Sequence, residues 1–402
     1  MMANFLRKRV KGYSIIFATA YVVYFIFGLF MMKDSMMGID FSAFYSAGKL
    51  ALEGNSTLIY DIAEHHHVIE SALGMEIPFL LAWFYPPIFL LIVTPFALLP
   101  YKFAMVFWLA STFIIYVMAI NKISMSKNMM YAAICFPGVL MNLHWGQNGF
   151  LIVALFGLAI YCLEKRPMVA GMMFAILCFK PHFALVAFIV LFISKQWKVF
   201  FSAISFFIGL VVLSIGFFGL DTWIVYIKTQ LNTPSIILDS IWESTAAIQP
   251  SVYSSLKVIG LPGNFASIIQ LIISICMLLI ILWTWRNISS ISMRGVMLVL
   301  GTLLCTPYFA QYDLVLLILP LIWYLNDCKL NGWMKGDLGI IILLWLTPLI
   351  NLPIVHLTHI QIAPIILIIT TIFTCRRLYH IHYKNRSNPL ETRRTYDDSV
   401  QG

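Results

Sequence analysis

Residues 168–194 read MVAGMMFAILCFKPHFALVAFIVLFIS, and this stretch contains the pattern that decides the fold. Two apolar runs, each shorter than the roughly 20 residues of a full bilayer crossing, meet at Lys180-Pro181-His182. Basic residues flank the unit, Lys165-Arg166 before it and Lys195 after it. Because cytoplasmic turns of membrane proteins are rich in Lys and Arg, the pattern indicates a helical hairpin with cytoplasmic ends and an outward polar apex.

The composition extends this interpretation to the whole chain. Of the 402 residues, 61% are apolar and 11% are charged, against about 45–50% and 25% in soluble domains. Apolar runs recur from Ser14 to Cys375 and leave no room for a soluble domain. The net charge of +9 does not indicate nucleic-acid binding, because the basic residues form short clusters between apolar runs. The sequence therefore predicts an all-α polytopic membrane protein.

The basic clusters also set the number of spans. All of them can face the cytoplasm only if an even number of helices separates each cluster from the next. One candidate helix too many lies between the first two clusters, and we assign the surplus to residues 79–99, where several prolines oppose a regular helix. That segment is predicted to be re-entrant or to lie at the outer interface. The clusters occupy residues 7–11, 122–127, 165–166, 195–198, 286–294, 329–335 and 376–394.

The resulting topology has about twelve spans with both termini in the cytoplasm. It predicts one transmembrane domain, residues 1–375, with two long outer loops at 33–102 and 220–264. The basic tail, 376–402, is predicted to be disordered and close to anionic lipid. Single spans are expected at 14–32, 103–120, 198–219 and 265–285, and pairs of short helices at 129–163, 168–194, 294–326 and 337–375.

Polar residues gather at the predicted outer turns. Charges at membrane depth are costly and usually face a cavity or a partner, so their convergence predicts one polar site near the outer interface. Purely structural roles remain open for these residues. Asp40 could be a loop acid or a helix cap, and Lys180 could be a snorkelling residue with Asp313 as its structural partner. The candidates are Asp40, Tyr45, His144, Gln147, Asn148, Lys180, His182, Tyr308 and Asp313.

No metal or cofactor site is predicted. The run His65-His66-His67 is better explained as a solvated face than as a set of metal ligands. The seven cysteines lie in or beside apolar runs and lack zinc or disulfide spacing. Neither a phosphate-binding glycine loop nor a nucleophile elbow occurs. We therefore expect chemistry that needs neither a metal nor a cofactor.

Several short motifs follow one another in a distinctive order. They are Asp40-Phe41, Tyr45-Ser46-Ala47-Gly48, Gly54, Tyr60-Asp61, Phe84-Tyr85-Pro86-Pro87, Pro95, Gly146-Gln147-Asn148, Ala170-Gly171, Lys180-Pro181 and Pro307-Tyr308. This order resembles glycosyltransferase family 87, the polyprenyl-phosphate-mannose-dependent mannosyltransferases and their relatives, over about residues 38–326. One departure is that mannosyltransferase members carry a His-bearing segment near this apex, whereas residues 307–313 contain no His.

The resemblance implies a GT-C fold whose active site opens outside the cytoplasmic membrane. It implies inverting transfer of a hexose, with mannose favoured, from a polyprenyl phosphate to a glycolipid or glycan acceptor. Asp40 matches the family's acid of the first outer loop and is the expected general base. Charge and position make Lys180 and His182 candidates for holding the departing phosphate. The other donor-binding candidates are Tyr45, His144, Gln147, Asn148, Tyr308 and Asp313.

Two other functions would also place a polar site on the outer face. A transporter or flippase would favour inverted repeats and helices broken at mid-membrane, and the sequence has no clear repeat. A polymerase or ligase of lipid-linked saccharides would rely on arginines in the outer loops, and loops 33–102 and 220–264 contain no Arg. The sequence therefore favours the transferase.

Overall fold

The computed structural model describes residues 2–31, 36–232 and 245–387, and these ranges are helical without any strand. Short 3₁₀ turns occur at Ser56–Tyr60, Pro87–Phe89, Thr94–Leu98, Ala246–Ile248 and Gln311–Leu317. The α-helices are α1 (Met2–Phe30), α2 (Ile39–Leu52), α3 (Ile62–Leu73), α4 (Leu90–Val93), α5 (Tyr101–Ile123), α6 (Lys127–Ile134), α7 (Pro137–Trp145), α8 (Gly149–Cys162), α9 (Pro167–Leu177), α10 (Pro181–Ile193), α11 (Trp197–Phe218), α12 (Leu220–Asn232), α13 (Val252–Val258), α14 (Gly263–Asn287), α15 (Ile291–Cys305), α16 (Ile318–Asn331), α17 (Asp337–Thr358) and α18 (Ala363–Ser387).

Among the described residues, four helices are long and apolar enough to cross a membrane: α5, α11, α14 and α17. Their outward faces expose many large apolar side chains, such as Phe217 and Leu279. An apolar surface of this extent is unfavourable in water. The chain is thus a multi-pass membrane protein. Shorter apolar helices of 11–15 residues, α8, α9, α10 and α15, pack among them. Because a full crossing needs about 20 residues, the count of twelve spans stays a prediction.

Prolines break the apolar runs. As the sequence indicated, residues 79–99 do not form a continuous helix: an extended stretch leads into two 3₁₀ turns and the four-residue α4. Pro137 adds a break that was not expected, so that residues 129–163 form α6, α7 and α8 instead of two helices. The proline lacks an N–H, and its ring disfavours helical backbone at Phe136, which is extended here.

Contacts between turns define two ends of the bundle. At the polar end, Lys180 and Asp313 form an ion pair between two turns. At the opposite, basic end, Arg286 Nη2 donates to the carbonyl of Ile193 over 3.0 Å. Since successive helices run between the ends, the predicted cytoplasmic clusters from residue 122 to 335 share the basic end. Turns of the polar end lie at residues 145–149, 178–181 and 306–311, and turns of the basic end at 124–126, 163–166, 194–196, 288–290 and 332–336.

An aromatic cluster attaches residues 36–100 to the polar end. Phe44 of α2 meets Phe89 and Trp108 edge-on, with ring centroids 5.1 and 5.7 Å apart. Phe89 in turn stacks on Phe179 at 4.8 Å. Such pairs contribute about 0.5–1.5 kcal/mol each beyond the burial of their surface. Because Phe179 precedes Lys180, this packing fixes the loop next to a candidate site residue.

A buried charge cluster closes the basic end. Arg377 of α18 is 1% exposed, donates from Nη1 to Asp337 Oδ2 over 2.7 Å, and forms an ion pair with Asp327. The Tyr324 hydroxyl donates to the other oxygen of Asp337 over 2.8 Å. The cluster joins α16, α17 and α18.

The last helix differs from the sequence-based expectation. With Arg377 held inside the bundle, α18 continues to Ser387, beyond the point at which the disordered tail was expected to begin. The rest of that expected tail, residues 388–402, lies outside the described residues.

Adjacent arginines provide a test of this cluster. Replacing Arg377→Met leaves Asp327 buried without its cation and Asp337 with only the partly exposed Arg376, so the free energy of unfolding should fall by about 3–5 kcal/mol. Arg376, whose side chain is 39% exposed and lies 3.3 Å from Asp337, is the matched control. Arg376→Met should cost at most about 1 kcal/mol. Unfolding in detergent measures both, and equal losses would contradict the assigned role of Arg377.

Candidate active site

A tight turn between α7 and α8 brings the first polar residues together. Gly146 has φ 72°, in the left-handed region that favours glycine. A Cβ there would lie 2.7 Å from Cβ of Phe41, so only glycine allows the turn to pack directly on α2. The indole of Trp108 donates to the Gly146 carbonyl over 3.2 Å, and the Gly38 amide donates to the His144 carbonyl over 2.7 Å. These contacts join the turn to the segment that carries Asp40.

Buried Asn142 holds the part of the turn that follows this glycine. Its Nδ2 donates to the Gln147 carbonyl over 3.1 Å, and its Oδ1 accepts from the Gly149 amide over 2.7 Å. Gln147 Nε2 then donates to Asp40 Oδ2 over 3.0 Å. Asn148 Nδ2 donates to the Tyr85 hydroxyl over 2.9 Å. The turn thus contacts Asp40 of α2 and Tyr85 of the proline-broken segment.

The second polar element is the pair Lys180–Asp313. Lys180 Nζ lies 2.5 Å from Asp313 Oδ1, and both side chains are buried. The ammonium also lies 5.2 Å from the ring centroid of Tyr312, within the range of a cation–π contact. Asp313 Oδ2 accepts from the Ala310 amide over 3.0 Å, which fixes the carboxylate at the start of the 3₁₀ turn. The pair therefore joins the α9–α10 turn to the α15–α16 turn.

Asp40 and the Lys180–Asp313 pair are close enough to influence one another electrostatically. Asp40 lies at the start of α2, outside the spanning helices, and is half-buried. Burial raises the pKa of Asp40 to about 6; the Gln147 hydrogen bond and the Lys180 ammonium oppose that rise, and the Asp313 carboxylate adds to it. One ammonium and two carboxylates thus interact at the polar end of the bundle.

The structure brings together Asp40, Gln147, Asn148, Lys180 and Asp313 of the candidates. Beside Lys180, the His182 ring packs edge-on against Phe183, and its buried Nε2 has no hydrogen-bond partner within the described ranges.

Three other candidates point elsewhere. The Tyr45 hydroxyl donates to the Leu99 carbonyl over 3.1 Å, and His144 Nδ1 lies 2.7 Å from the Tyr24 hydroxyl. Tyr308 is 53% exposed and interacts electrostatically with Tyr253.

Sequence reasoning missed three residues of this site. Tyr85 was noted for the prolines that follow it, although a tyrosine between two carboxylates can bind substrate or orient a neighbour. Asn142 carried a weaker signal, an amide inside an apolar helix a few residues before the polar turn. Tyr312 lay next to a candidate, and its cation–π contact needs the fold to be seen.

The first histidine of the run His65-His66-His67 differs from the expected solvated face. His65 is fully buried in α3, and its Nε2 donates to the Ala43 carbonyl over 3.1 Å. Burial lowers the pKa of His65 to about 4, so this histidine is neutral at physiological pH. In the part of the chain that the structure describes, no group of three His, Cys, Asp or Glu residues is arranged to hold a metal ion. His65 therefore contributes packing between α2 and α3, whereas His67 is exposed as expected.

The carboxylate and the ammonium of this site can each take part in a reaction. A half-buried carboxylate whose pKa is near neutrality can accept a proton from a hydroxyl. An ammonium in an apolar setting attracts an anion more strongly than it would in water, because the local dielectric constant is low. A base and a cation at one end of the bundle can therefore serve a group transfer with an anionic leaving group.

Comparison with known proteins agrees with this chemistry. The model of glycosyltransferase family 87 matches residues 83–307, more than half of the chain. Tyr85, Gln147 and Lys180 lie inside the matched range, whereas Asp40 precedes it and Asp313 follows it. No curated protein and no solved structure matched the chain. The protein is a membrane glycosyltransferase, acting on a sugar donor and an acceptor, and it belongs to glycosyltransferase family 87.

Proposed function

We propose that the protein transfers a hexose, with mannose favoured, from a polyprenyl-phosphate donor to a hydroxyl of a glycolipid or glycan. The transfer inverts the anomeric carbon, needs no metal or cofactor, and takes place at the outer face of the cytoplasmic membrane. The transmembrane helices form a single domain, residues 1–375, of GT-C type. A lipid-borne donor accounts for a transferase whose reactive groups lie at the end of an apolar helical bundle.

The observation that carries this proposal is the convergence of four distant segments on one polar cluster. Asp40 comes from α2, Gln147 from the α7–α8 turn, and the Lys180–Asp313 pair from two further turns. Buried charges are costly, and a bundle of apolar helices has no structural need to gather them at one end. Their chemistry matches the two needs of glycosyl transfer, a base for the acceptor and a cation for the phosphate.

Asp40 is the general base. Gln147 occupies Oδ2, and Oδ1 has no hydrogen-bond partner among the residues with a described structure. That free oxygen accepts the proton as the acceptor hydroxyl attacks the anomeric carbon. The Gln147 hydrogen bond orients the carboxylate so that its free oxygen stays in place.

Lys180 stabilises the departing phosphate. An ammonium has three N–H donors, and Asp313 accepts from one of them. Among the residues with a described structure no other group accepts from this ammonium, so its two other N–H groups can donate to phosphate oxygens, whose negative charge grows as the glycosidic bond breaks. A cation at this position stabilises the transition state more than the ground state, which is the condition for catalysis. His182 and Asn148, each with a buried unpartnered atom, are the next candidates for donor contacts.

The membrane orientation is part of the proposal. Because the basic end carries the Lys and Arg clusters, it faces the cytoplasm, and the polar end faces outside. Single cysteines introduced at two exposed positions, Glu64→Cys and Met125→Cys in a Cys276→Ser background, test this assignment. A membrane-impermeant maleimide added to intact cells should label position 64 and leave position 125 unlabelled. Labelling of position 125 before the membrane is permeabilised would reverse the orientation.

Removing the base tests the mechanism. Asp40→Asn keeps the size and the acceptor for Gln147 but cannot take up a proton, so transfer should fall about 10²–10⁴-fold. Asp40→Glu should retain part of the activity. Asp61→Asn is the matched control, since Asp61 caps α3 through the Ala63 and Glu64 amides and Asn caps equally well. Asp34, the other acid expected to tolerate Asn, lies outside the described residues. Wild-type rates in Asp40→Asn would exclude Asp40 as the base.

The pH dependence follows from the same carboxyl group. With its pKa raised to about 6, Asp40 is protonated at lower pH and cannot act as a base. The transfer rate should therefore rise with pH through about 6 and level off above about 7. Asp61→Asn should leave this profile unchanged, and Asp40→Glu should displace its acidic limb. A rate that stays constant between about pH 5 and 7 would contradict the assignment.

The phosphate contact is tested at Lys180. Lys180→Met should slow transfer about a hundred- to a thousandfold, the usual cost of losing one contact to a developing negative charge. Since this change leaves Asp313 buried without its cation, the double variant Lys180→Met/Asp313→Asn separates folding from catalysis. It should unfold like the wild type and remain slow. Lys102→Met, an exposed lysine at the same end, is the control. Normal turnover in Lys180→Met would contradict the phosphate contact and leave the lysine with only a structural role as the partner of Asp313.

A further inference from the structure

A second polar feature lies at the opposite end of the bundle from Asp40. A cleft of about 270 Å³ opens between the basic-end termini of α5, α8 and α15 and the middle of α16. Its lining includes Lys122, Lys165 and Ser292 at the mouth and Ile160 and Trp323 at the floor. The 14 residues of α8, about 21 Å of helix, separate it from the Asn148 turn. The cleft is therefore distinct from the proposed transfer site.

The mouth of the cleft is suited to an anion. Lys122 and Lys165 are exposed, and within residues 2–31, 36–232 and 245–387 neither forms an ion pair. Glu164, the one acid in the lining, lies 3.7 Å from Arg294. The first turn of the 15-residue α15 also borders the cleft; there the Ser290 side chain accepts from the Met293 amide, and the amides of Ile291 and Ser292 lack intrahelical acceptors. Two free ammonium groups, the Ser292 hydroxyl and these amides surround one space.

The floor of the cleft is apolar. Ile160 and Trp323 are 1% and 3% exposed, and Tyr161 is an exposed aromatic at the edge. A small inorganic anion would make no favourable contact with this apolar floor. A phospholipid fits both the mouth and the floor of the cleft. Its phosphate contacts the lysines, and its glycerol and first methylenes cover the apolar surface. Basic pockets between transmembrane helices on the cytoplasmic side bind anionic headgroups in this manner.

We propose that this cleft binds the phosphate headgroup of an anionic phospholipid. The inference stands independently of the proposed sugar transfer, since none of its residues touches the Asp40 cluster. The volume of about 270 Å³ lies just below the range of ligand sites, which is about 300–1,000 Å³, and suits a headgroup whose acyl chains remain in the bilayer.

Native mass spectrometry of the full-length, delipidated protein tests the proposal with phosphatidylglycerol as the probe. The wild type should retain phosphatidylglycerol in preference to phosphatidylcholine with the same acyl chains. Lys122→Gln/Lys165→Gln should weaken the apparent affinity about thirtyfold, from two lost lysine contacts near an anionic group. Ser292→Glu provides a second variant, since an acid in the first turn of α15 suits the helix but repels phosphate.

The matched control is Lys198→Gln/Lys329→Gln, which removes the same charge from exposed lysines at the same end but outside the cleft. It should bind phosphatidylglycerol like the wild type. Equal binding of phosphatidylcholine, or unchanged binding by Lys122→Gln/Lys165→Gln, would overturn the proposal. Displacement of the lipid by inorganic phosphate would also overturn it, since the ligand would then be the free anion.

Discussion

A buried ammonium and a buried carboxylate, Lys180 and Asp313, hold two helical turns together at one end of an otherwise apolar bundle. Removing one partner of such a pair leaves a charge without compensation and typically costs about 3–5 kcal/mol, whereas replacing both by apolar residues is often neutral. Stability alone therefore does not demand this pair. Within the described ranges the ammonium donates to Asp313 alone, so it keeps N–H groups for another anion. The carboxylate keeps this cation charged and in place.

The position of Asp40 depends on a second constraint, the close approach of two backbone segments. Gly146 allows its turn to pack on Phe41, and Trp108 and Asn142 hold the turn by hydrogen bonds. The aromatic contacts of Phe44 and Phe89 attach the loop that contains Asp40 to the same helices. The proposed base belongs to a segment outside the spanning helices, yet it is as firmly placed as the lysine. Its raised pKa is a consequence of that burial.

Much of this could be predicted from the sequence, and the exceptions have physical reasons. Hydropathy and prolines gave the helical membrane architecture and the irregular segment 79–99, and polar residues in apolar surroundings indicated Asp40, Gln147, Asn148, Lys180 and Asp313. Tyr45, His144 and Tyr308 were polar residues in the right segments, but the rotation of each segment directs their side chains to other partners. The burial of His65 and of Arg377 depends on contacts between distant helices, which local patterns of charge do not reveal.

The central claim is that sugar reaches this site on a polyprenyl phosphate carrier. The most direct measurement is transfer by the purified protein from a panel of labelled polyprenyl-phosphate hexoses and, in parallel, from the corresponding nucleotide sugars, with membrane glycolipid as the acceptor. The account predicts transfer from a polyprenyl-phosphate hexose, a product of inverted anomeric configuration, and no transfer from any nucleotide sugar. Use of a nucleotide sugar as the direct donor, or a product of retained configuration, would contradict it.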